Sequence, residues 1–164
     1  MSKYSILIPI HNEMNHIPFL LDAIKVYSDE GHEIIIIDDG SNDGSTNILK
    51  KCEFINLLRL HKNKGKGYAL REGLIKANNN KVVIYDGDME LNPLGISRLM
   101  ILEKKNNIRF VMGFRFKSLS PFKSNFDLGN FMFTSLFNIL FGVQHKDILC
   151  CAKAFYANDI KNYK

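Results

Sequence analysis

The chain has 164 residues, of which 46% are hydrophobic and 24% charged, a balance that is ordinary for a folded globular domain and unlike that of a disordered or fibrous chain. This length allows a substantial core, so we expect a single domain over residues 1–164. The formal net charge of +5 fits either a lysine-rich surface or an anionic partner, and composition does not choose between them.

Short apolar runs alternate with helical patterns, which predicts βαβ units and a mainly parallel sheet flanked by helices. In chain order we expect a strand over 4–10, a helix after residue 15, a strand over 33–37, a short helix over 46–51, a strand over 56–60, a helix after residue 67, a strand over 81–85, a helix from residue 93 and a strand over 108–113. Asn15 is the predicted N-cap of the first helix. Consecutive isoleucines over 34–37 indicate a strand buried on both faces.

The character of the chain changes after residue 113. Residues 114–127 are rich in Phe, Ser and Lys and predict a mobile loop, 128–143 predicts a strongly apolar helix, and 147–156 predicts one more strand. We expect the apolar helix to pack against the sheet, because apolar stretches of this length are more often core than membrane. The alternative is an interfacial helix that meets a lipid surface.

The three cysteines, Cys52, Cys150 and Cys151, form no C-x-x-C pair. Neither a disulfide framework nor a zinc site is indicated, so a reducing compartment is expected. The N-terminal segment lacks the pattern of a signal peptide, and no stretch reaches the roughly 18 unbroken apolar residues of a membrane span. We therefore expect a cytoplasmic location, with peripheral contact at the inner face of the membrane as an extension of it.

Two carboxylates, Asp86 and Asp88, flank Gly87 directly after the predicted strand over 81–85. Two like charges at a strand end need a cation between them, and Mg²⁺ or Mn²⁺ shared with substrate phosphates supplies one. Ligands of open α/β sheets bind beyond the carboxyl ends of the strands. Further polar segments follow the other predicted strands, namely residues 9–13, 38–44, 63–67 and 113–115. The sequence thus favours a metal–nucleotide site at this edge.

Each polar segment also has a purely structural interpretation. Residues 38–41 fit a turn followed by a helix cap, and Gly65-Lys66-Gly67 fits a helix start with a basic surface. The loop over 61–67 matches neither the Walker pattern nor the dinucleotide fingerprint. Taken singly, His11 is a loop hydrogen-bonding residue and Arg115 a surface charge.

Several segments together resemble glycosyltransferase family 2 of the GT-A fold, in particular its dolichyl- or polyprenyl-phosphate sugar synthase branch. The segments are ILIPIHNE at 6–13, IIDDGSNDGS at 36–45, NKGKGYALREG at 63–73 and DGD at 86–88, followed by GN at 129–130, FG at 141–142 and DILCCAKAF at 147–155. The resemblance covers nearly the whole chain. It implies a Rossmann-like nucleotide-diphospho-sugar transferase fold.

The same resemblance implies roles for individual residues. Those implied to bind the nucleotide sugar are Pro9, His11, Glu13, Ile37, Asp39, Asp86, Gly87, Asp88 and Arg115. The implied metal ligands for Mg²⁺ or Mn²⁺ are Asp86, Asp88 and Glu90, and the implied catalytic residues are Asp88, Glu90 and Arg115. Lys123 is a further basic residue that aligns less closely with a loop arginine.

The implied reaction is an inverting transfer of a sugar from a nucleotide-diphosphate donor. A divalent metal and nearby cations stabilise the charge that develops on the leaving diphosphate. A polyprenyl-phosphate acceptor is already ionised and needs no general base, whereas a hydroxyl of a cell-envelope glycan precursor needs one, and Glu90 is the available carboxylate. The expected partners are the donor and one of these acceptors, and no nucleic acid.

Two features depart from the family pattern. Cys150 and Cys151 stand where this branch often has Ser or Thr and Gly, and the chain stops at Lys164, where family members usually continue. The alternative function is therefore a non-catalytic nucleotide-sugar-binding remnant that needs a partner. A receiver-type signalling domain fits less well, because its acidic pair should follow the first strand. A sugar-1-phosphate nucleotidyltransferase should carry a glycine-rich basic loop after that strand, which 9–13 does not resemble.

Overall fold

The computed structural model of the chain describes residues 2–113 and 125–161. Its strands are β1 (Tyr4–Ile10), β2 (Glu33–Asp38), β3 (Asn56–Arg59), β4 (Lys81–Ile84), β5 (Phe110–Met112) and β6 (Lys153–Tyr156). Its α-helices are α1 (Ile17–Asp29), α2 (Ser45–Leu49), α3 (Lys66–Lys76), α4 (Asn125–Phe141) and α5 (Ala157–Lys161), and a 3₁₀ helix spans Pro93–Leu99. These elements follow the predicted order.

The strands form a six-stranded sheet in the order β3-β2-β1-β4-β6-β5. The four strands from β3 to β4 are parallel, and β6 runs antiparallel to both β4 and β5. The prediction of a mainly parallel sheet is confirmed. The strand order reverses direction at β1, so the carboxyl ends of β1, β2 and β4 meet at the place where open α/β sheets bind ligands.

The central strands are buried on both faces. Ile34 and Ile36 of β2 belong to the core on the α1 side, whereas Ile35 and Ile37 belong to the core on the α3 side. This alternation follows from the two-residue period of a strand, and it explains why the sequence places four isoleucines in succession. Gly73 lets α3 lie close to the sheet, since a Cβ there would stand 2.8 Å from Cδ1 of Ile37.

Three local predictions need correction. The N-cap of α1 is His16 rather than Asn15, and no side chain caps this helix. The segment from Pro93 is a 3₁₀ helix, although Ile96 and Leu99 face the core as expected. The strand predicted over 108–113 is shorter in the structure, where β5 covers only Phe110–Met112. Ile108 pairs instead with Glu103 in an isolated antiparallel bridge.

Most of the large apolar side chains described along helix α4 are exposed, so the expectation of a core helix is not met over these residues. Large apolar side chains along it are exposed, namely Phe131, Met132, Phe133, Leu136, Ile139, Leu140 and Phe141. Its covered side faces the following segment, where Thr134 Oγ1 accepts a hydrogen bond from Ile148 N at 3.3 Å. Asn138 also donates to the His145 carbonyl at 2.8 Å. The local apolar pattern identified the helix but not its neighbours.

The expected mobile loop over 114–127 lies outside the described residues except for its last part, which is helical from Asn125. Arg115 and Lys123 also lie outside them. Across the described part of the chain, no helix combines the length and the apolar character needed to cross a membrane.

Candidate nucleotide-sugar site

A cavity of about 230 Å³ lies at the edge of the sheet where β1, β2 and β4 end. Its lining residues are Pro9, Ile10, His11, Glu13, Asp39, Asn63, Gly65, Lys66, Asp86, Gly87 and Asp88. Seven of the residues singled out in the sequence therefore meet here, from three separate strand ends. Carboxylates from β2 and β4 face a lysine at the start of α3, so the cavity contains both signs of charge.

Asp39 fixes one wall of the cavity. Its buried carboxylate accepts hydrogen bonds from the backbone N–H groups of Lys64 at 2.9 Å and Gly65 at 2.8 Å. The loop before α3 is thereby held against the end of β2. Asn63, Gly65 and Lys66 thus line the cavity, although no individual role was predicted for them. The Gly-Lys-Gly run was the available signal.

The Asp38 carboxylate forms hydrogen bonds in the turn after β2 and does not line the cavity. Its Oδ1 accepts a hydrogen bond from Ser41 N at 2.8 Å, and its Oδ2 accepts one from the Thr46 hydroxyl. The structural interpretation of residues 38–41 is therefore correct for Asp38, while Asp39 beside it faces the cavity. Consecutive residues of an extended segment point to opposite sides, which separates the two roles.

Asp86 forms an ion pair with a lysine from the start of α3. The Lys66 ammonium lies 2.5 Å from its Oδ1 and 2.7 Å from its Oδ2. Burial first, and then Asp86, raise the pKa of Cys151 to about 12. Sequence analysis missed the ion pair between Lys66 and Asp86, because nothing local in the chain connects these two residues.

Asp88 and Glu90 point to different cavities. Asp88 is exposed in the strand-end cavity, and its Oδ1 accepts a hydrogen bond from the Glu90 backbone at 3.0 Å. The Glu90 side chain instead borders a second cavity of about 630 Å³, lined also by Asp22, Val26 and Leu94. The backbone between them turns sharply, since Met89 has φ +61°. Glu90 therefore lines a different cavity from the one that Asp86 and Asp88 line.

Two further predicted residues are placed by packing. Ile37 is fully buried beneath α3 and does not line the strand-end cavity. Gly87 does line it, and a Cβ at this position would stand 2.5 Å from Cγ2 of Ile10. The glycine therefore lets the segment after β4 lie directly on the end of β1.

The loop after β1 is fastened to the loop after β2. Asn12, at φ +58°, donates its N–H to Ser41 Oγ at 2.9 Å. Glu13 N donates to Ser45 Oγ at 3.1 Å, and Met14 N donates to Asp43 Oδ2 at 2.8 Å. These bonds hold His11 and Glu13 at the rim of the cavity. Glu13 also pairs with His16 at 2.7 Å.

Asp43 makes these hydrogen bonds between the two loops dependent on pH. Burial alone would raise the pKa of its carboxyl, but hydrogen bonds from Ser45 and Met14 outweigh burial and lower the pKa below its ordinary value of 3.8. A lowered pKa in the folded state stabilises the fold above that ordinary value, and the contribution disappears as the pH falls through the lowered pKa.

We expect Asp43→Ala to reduce the free energy of unfolding at pH 7 by about 1–2 kcal/mol, because several donors lose a charged acceptor. The difference from the parent chain should shrink as the pH falls below the ordinary value of 3.8 toward the lowered pKa of the folded state. Urea unfolding across pH 3–7 measures this, with Asp22→Asn as the matched control. A difference in unfolding free energy that stays constant with pH contradicts this role of Asp43 in joining the two loops.

No three His, Cys, Asp or Glu side chains within residues 2–113 and 125–161 are grouped so that they could hold a metal ion by themselves. Asp86 and Asp88 nevertheless present carboxylate oxygens to one cavity. Mg²⁺ is commonly held by only one or two carboxylates together with substrate phosphates. The donor set therefore fits a hard divalent ion that arrives with a diphosphate.

The family model described as Glycosyl transferase family 2 matches residues 5–160. The undecaprenyl-phosphate 4-deoxy-4-formamido-L-arabinose transferase of Yersinia pestis (strain Pestoides F) is 32% identical over an alignment of 109 residues, which covers 61% of this chain and 33% of the relative. The transferase of the same name from Yersinia pseudotuberculosis serotype O:3 (strain YPIII) matches with the same figures. The chain spans about a third of the length of these curated relatives.

Solved structures share the fold over nearly the whole chain. Glucosyl-3-phosphoglycerate synthase from Mycobacterium tuberculosis matches with a TM-score of 0.75 and 20% identity, covering 96% of this chain and 57% of that one. Mannosyl-3-phosphoglycerate synthase from Rubrobacter xylanophilus matches with a TM-score of 0.73 and 16% identity, covering 95% and 53%. The predicted GT-A fold is confirmed. At these identities the likeness concerns the fold alone.

Proposed function

Because the chain belongs to glycosyl transferase family 2, we propose that its strand-end cavity binds a nucleotide-diphosphate sugar and that the chain transfers this sugar to an acceptor. The observation that carries the proposal is the meeting of Asp39, Asp86 and Asp88 with Lys66 in one cavity at the strand ends. That cavity lies where α/β folds bind nucleotides, and its charges suit a ribose, a diphosphate and a cation.

The donor is divided between two parts of the cavity. We assign the base and ribose to the wall formed by Pro9, His11, Glu13 and Asp39, which the loop bonds described above hold in place. Asp39 is already hydrogen bonded to Lys64 and Gly65, so it shapes that wall as well as facing it. Ile37 supports the wall from beneath. The diphosphate is assigned to the side formed by Asp86, Gly87 and Asp88.

A divalent ion, Mg²⁺ or Mn²⁺, is part of the proposal. Asp88 and Asp86 are the carboxylates that would hold it, and when bound it would stabilise negative charge on the leaving diphosphate. Lys66 supplies a positive charge at the cavity, where it is paired with Asp86, and Arg115, which lies outside the described residues, is proposed as a second cation for the donor phosphates. Glu90 stays a predicted third ligand, although its side chain borders the other cavity.

The proposed reaction inverts the configuration at the sugar carbon, since an acceptor that attacks opposite the leaving diphosphate produces the inverted anomer. The relatives from Yersinia are named as transferases acting with undecaprenyl phosphate, which supports a polyprenyl-phosphate acceptor here. Such a phosphate is an ionised nucleophile, so the site needs no general base. If the acceptor is instead a glycan hydroxyl, Glu90 is the proposed base.

A lipid acceptor requires the chain to reach a membrane surface. Exposed apolar residues of α4, among them Ile139 and Leu140, support a peripheral contact of the kind made by interfacial helices. All three cysteines are free thiols, which supports the predicted cytoplasmic location at the inner face.

The test is calorimetric binding of UDP-, GDP- and dTDP-sugars with and without Mn²⁺. We expect one nucleotide class to bind, and to bind more tightly with the metal. Transfer of the labelled sugar to polyprenyl phosphate in vesicles, with sedimentation of the chain on the same vesicles, then tests the acceptor and the membrane contact.

Two outcomes count against the proposal. A folded sample that binds no nucleotide sugar contradicts the donor site itself. Binding without transfer to any acceptor supports the alternative function, a nucleotide-sugar-binding remnant that needs a partner.

A further inference from the structure

We propose that Asn12 is a positioning residue that fixes which ring nitrogen of His11 carries the proton, so that His11 offers its Nδ1–H as a hydrogen-bond donor to the nucleotide sugar. The proposal rests on the proposed function, because His11 lines the strand-end cavity assigned to that donor. The group that it would meet is an acceptor oxygen of the base or the ribose, since His11 belongs to the wall assigned to these two parts.

The backbone is held on both sides of His11. Before it, the Ile10 carbonyl accepts a hydrogen bond from Asp39 N at 2.9 Å. After it, Asn12 N donates to Ser41 Oγ at 2.9 Å. The loop position of His11 is therefore fixed, and what the ring presents to the cavity depends on the rotation of the side chain and on the place of the ring proton.

The orientation of the Asn12 amide follows from its hydrogen bonds. Its Oδ1 accepts a hydrogen bond from Asn42 N at 2.9 Å. The reversed amide would place an NH₂ group against this N–H, and two donors form no hydrogen bond with each other. The NH₂ group of Asn12 is therefore on the other side, where Nδ2 lies 3.3 Å from His11 Nε2.

This orientation decides the tautomer of His11. Asn12 Nδ2 carries only donors, so His11 Nε2 beside it acts as the acceptor and carries no proton. The neutral ring then has its proton on Nδ1. Within residues 2–113 and 125–161 the His11 side chain makes no hydrogen bond other than the one to Asn12. The Nδ1–H group is thus left for a ligand in the cavity.

The backbone at Asn12 makes a precise test possible. Its φ of +58° lies in the left-handed region, which asparagine and aspartate adopt more readily than most residues. The two side chains also share one shape, but an ionised aspartate offers only acceptors. Asn12→Asp should therefore keep the bond from Asn42 N, accept a hydrogen bond from His11 Nε2–H, and so reverse the tautomer.

The first experiment uses the chain without ligands. Proton–nitrogen NMR spectra of the histidine rings, recorded at about pH 8.5 where histidine side chains are ordinarily neutral, report which nitrogen carries the proton, and His11→Phe identifies the His11 signals. We expect the Nδ1–H tautomer in the parent chain and the Nε2–H tautomer in Asn12→Asp. Asn42→Asp adds the same charge at an exposed position of the neighbouring loop and should keep the parent tautomer. An Nε2–H ring in the parent chain overturns the positioning role.

The second experiment measures donor affinity and turnover at the same pH. We expect Asn12→Asp and His11→Phe each to weaken nucleotide-sugar binding by about 3–10-fold, the size of one hydrogen bond, with a larger change in KM than in kcat. Asn42→Asp is the matched control for the added charge and should bind as the parent chain does. Urea unfolding of the three variants verifies that each sample is folded.

The outcomes separate the two proposals. Unchanged donor affinity in His11→Phe shows that the ring acts by stacking and overturns its role as a hydrogen-bond donor. Unchanged affinity in Asn12→Asp, or an equal loss in Asn42→Asp, overturns the role of Asn12. If the parent chain binds no nucleotide sugar, the proposed function fails and the recognition role of His11 fails with it, while the NMR spectra still decide whether Asn12 sets the tautomer.

Discussion

Asp88→Asn is expected to remove most of the Mn²⁺-dependent part of nucleotide-sugar binding. Asp88 is the exposed carboxylate of the cavity, whereas Asp86 is already paired with Lys66 at 2.5 Å. Losing an outer partner of a metal ligand commonly costs about 10–100-fold in metal affinity or activity, so loss of a ligand itself should cost more than about 100-fold. Calorimetry with and without Mn²⁺ measures the difference.

Two variants serve as controls for Asp88→Asn. Asp22→Asn removes an exposed carboxylate from the second cavity and should leave donor binding unchanged. Glu90→Gln tests the predicted third ligand, and we expect a smaller loss than for Asp88→Asn because Glu90 borders that second cavity. Equal losses for Glu90 and Asp88 would show that Glu90 joins the ion when the donor binds. No loss in Asp88→Asn contradicts the proposed metal carboxylate.

Gly40→Ala should be the most damaging single-methyl change near the cavity. Gly40 has φ +74°, and a Cβ there would stand 2.5 Å from the carbonyl carbon of Lys62 and 2.6 Å from Asn63 N. Both obstacles are backbone atoms, so the contact is relieved only by moving the loop that Asp39 holds. We expect a loss of about 2–4 kcal/mol in the free energy of unfolding, from overpacking together with left-handed strain.

Alanine variants of two other glycines distinguish backbone strain from steric overlap of the added methyl group. Gly65 has φ +87° and ψ 153°, a backbone conformation essentially restricted to glycine, but open space around its Cβ position, so Gly65→Ala should cost only the backbone strain of about 1–3 kcal/mol. Gly67 has open space without a left-handed φ, and Gly67→Ala should be neutral or stabilising by up to about 1 kcal/mol in α3. Urea unfolding of the three variants provides the ranking.

The expected ranking carries a consequence for function. Because the loop moved by Gly40→Ala contributes Asn63 and Lys66 to the cavity, donor affinity should fall in this variant and persist in Gly67→Ala. A Gly40→Ala chain as stable as the Gly67→Ala chain contradicts the tight approach of the two loops.

Much of the fold was predictable because its signals are local. Four successive isoleucines identify β2 as a strand buried on both faces, and Ala69 and Gly73 identify the close face of α3. The site's position was predictable for a related reason, since parallel strands bring their carboxyl ends to one edge. Asp39, Asp86 and Asp88 were therefore expected together, and the cavity contains all three.

Local pattern failed where the neighbours come from distant parts of the chain. The apolar sequence of α4 predicted a core helix, but burial depends on what surface lies opposite, and most of its large side chains are exposed. Glu90 follows Asp88 closely in sequence, yet it lines a second cavity, and its role as a metal ligand stays a prediction.

By itself, the amino-acid sequence determined the family, the order of the elements and the edge of the sheet that holds the site, because periodicity and strand-end motifs are properties of short segments. Only the tertiary structure decided that Asp38 hydrogen bonds within the turn while Asp39 lines the cavity, and that Lys66 pairs with Asp86. The physical reason is that hydrogen-bond and charge partners are set by strand register and loop approach, which join residues far apart in the chain.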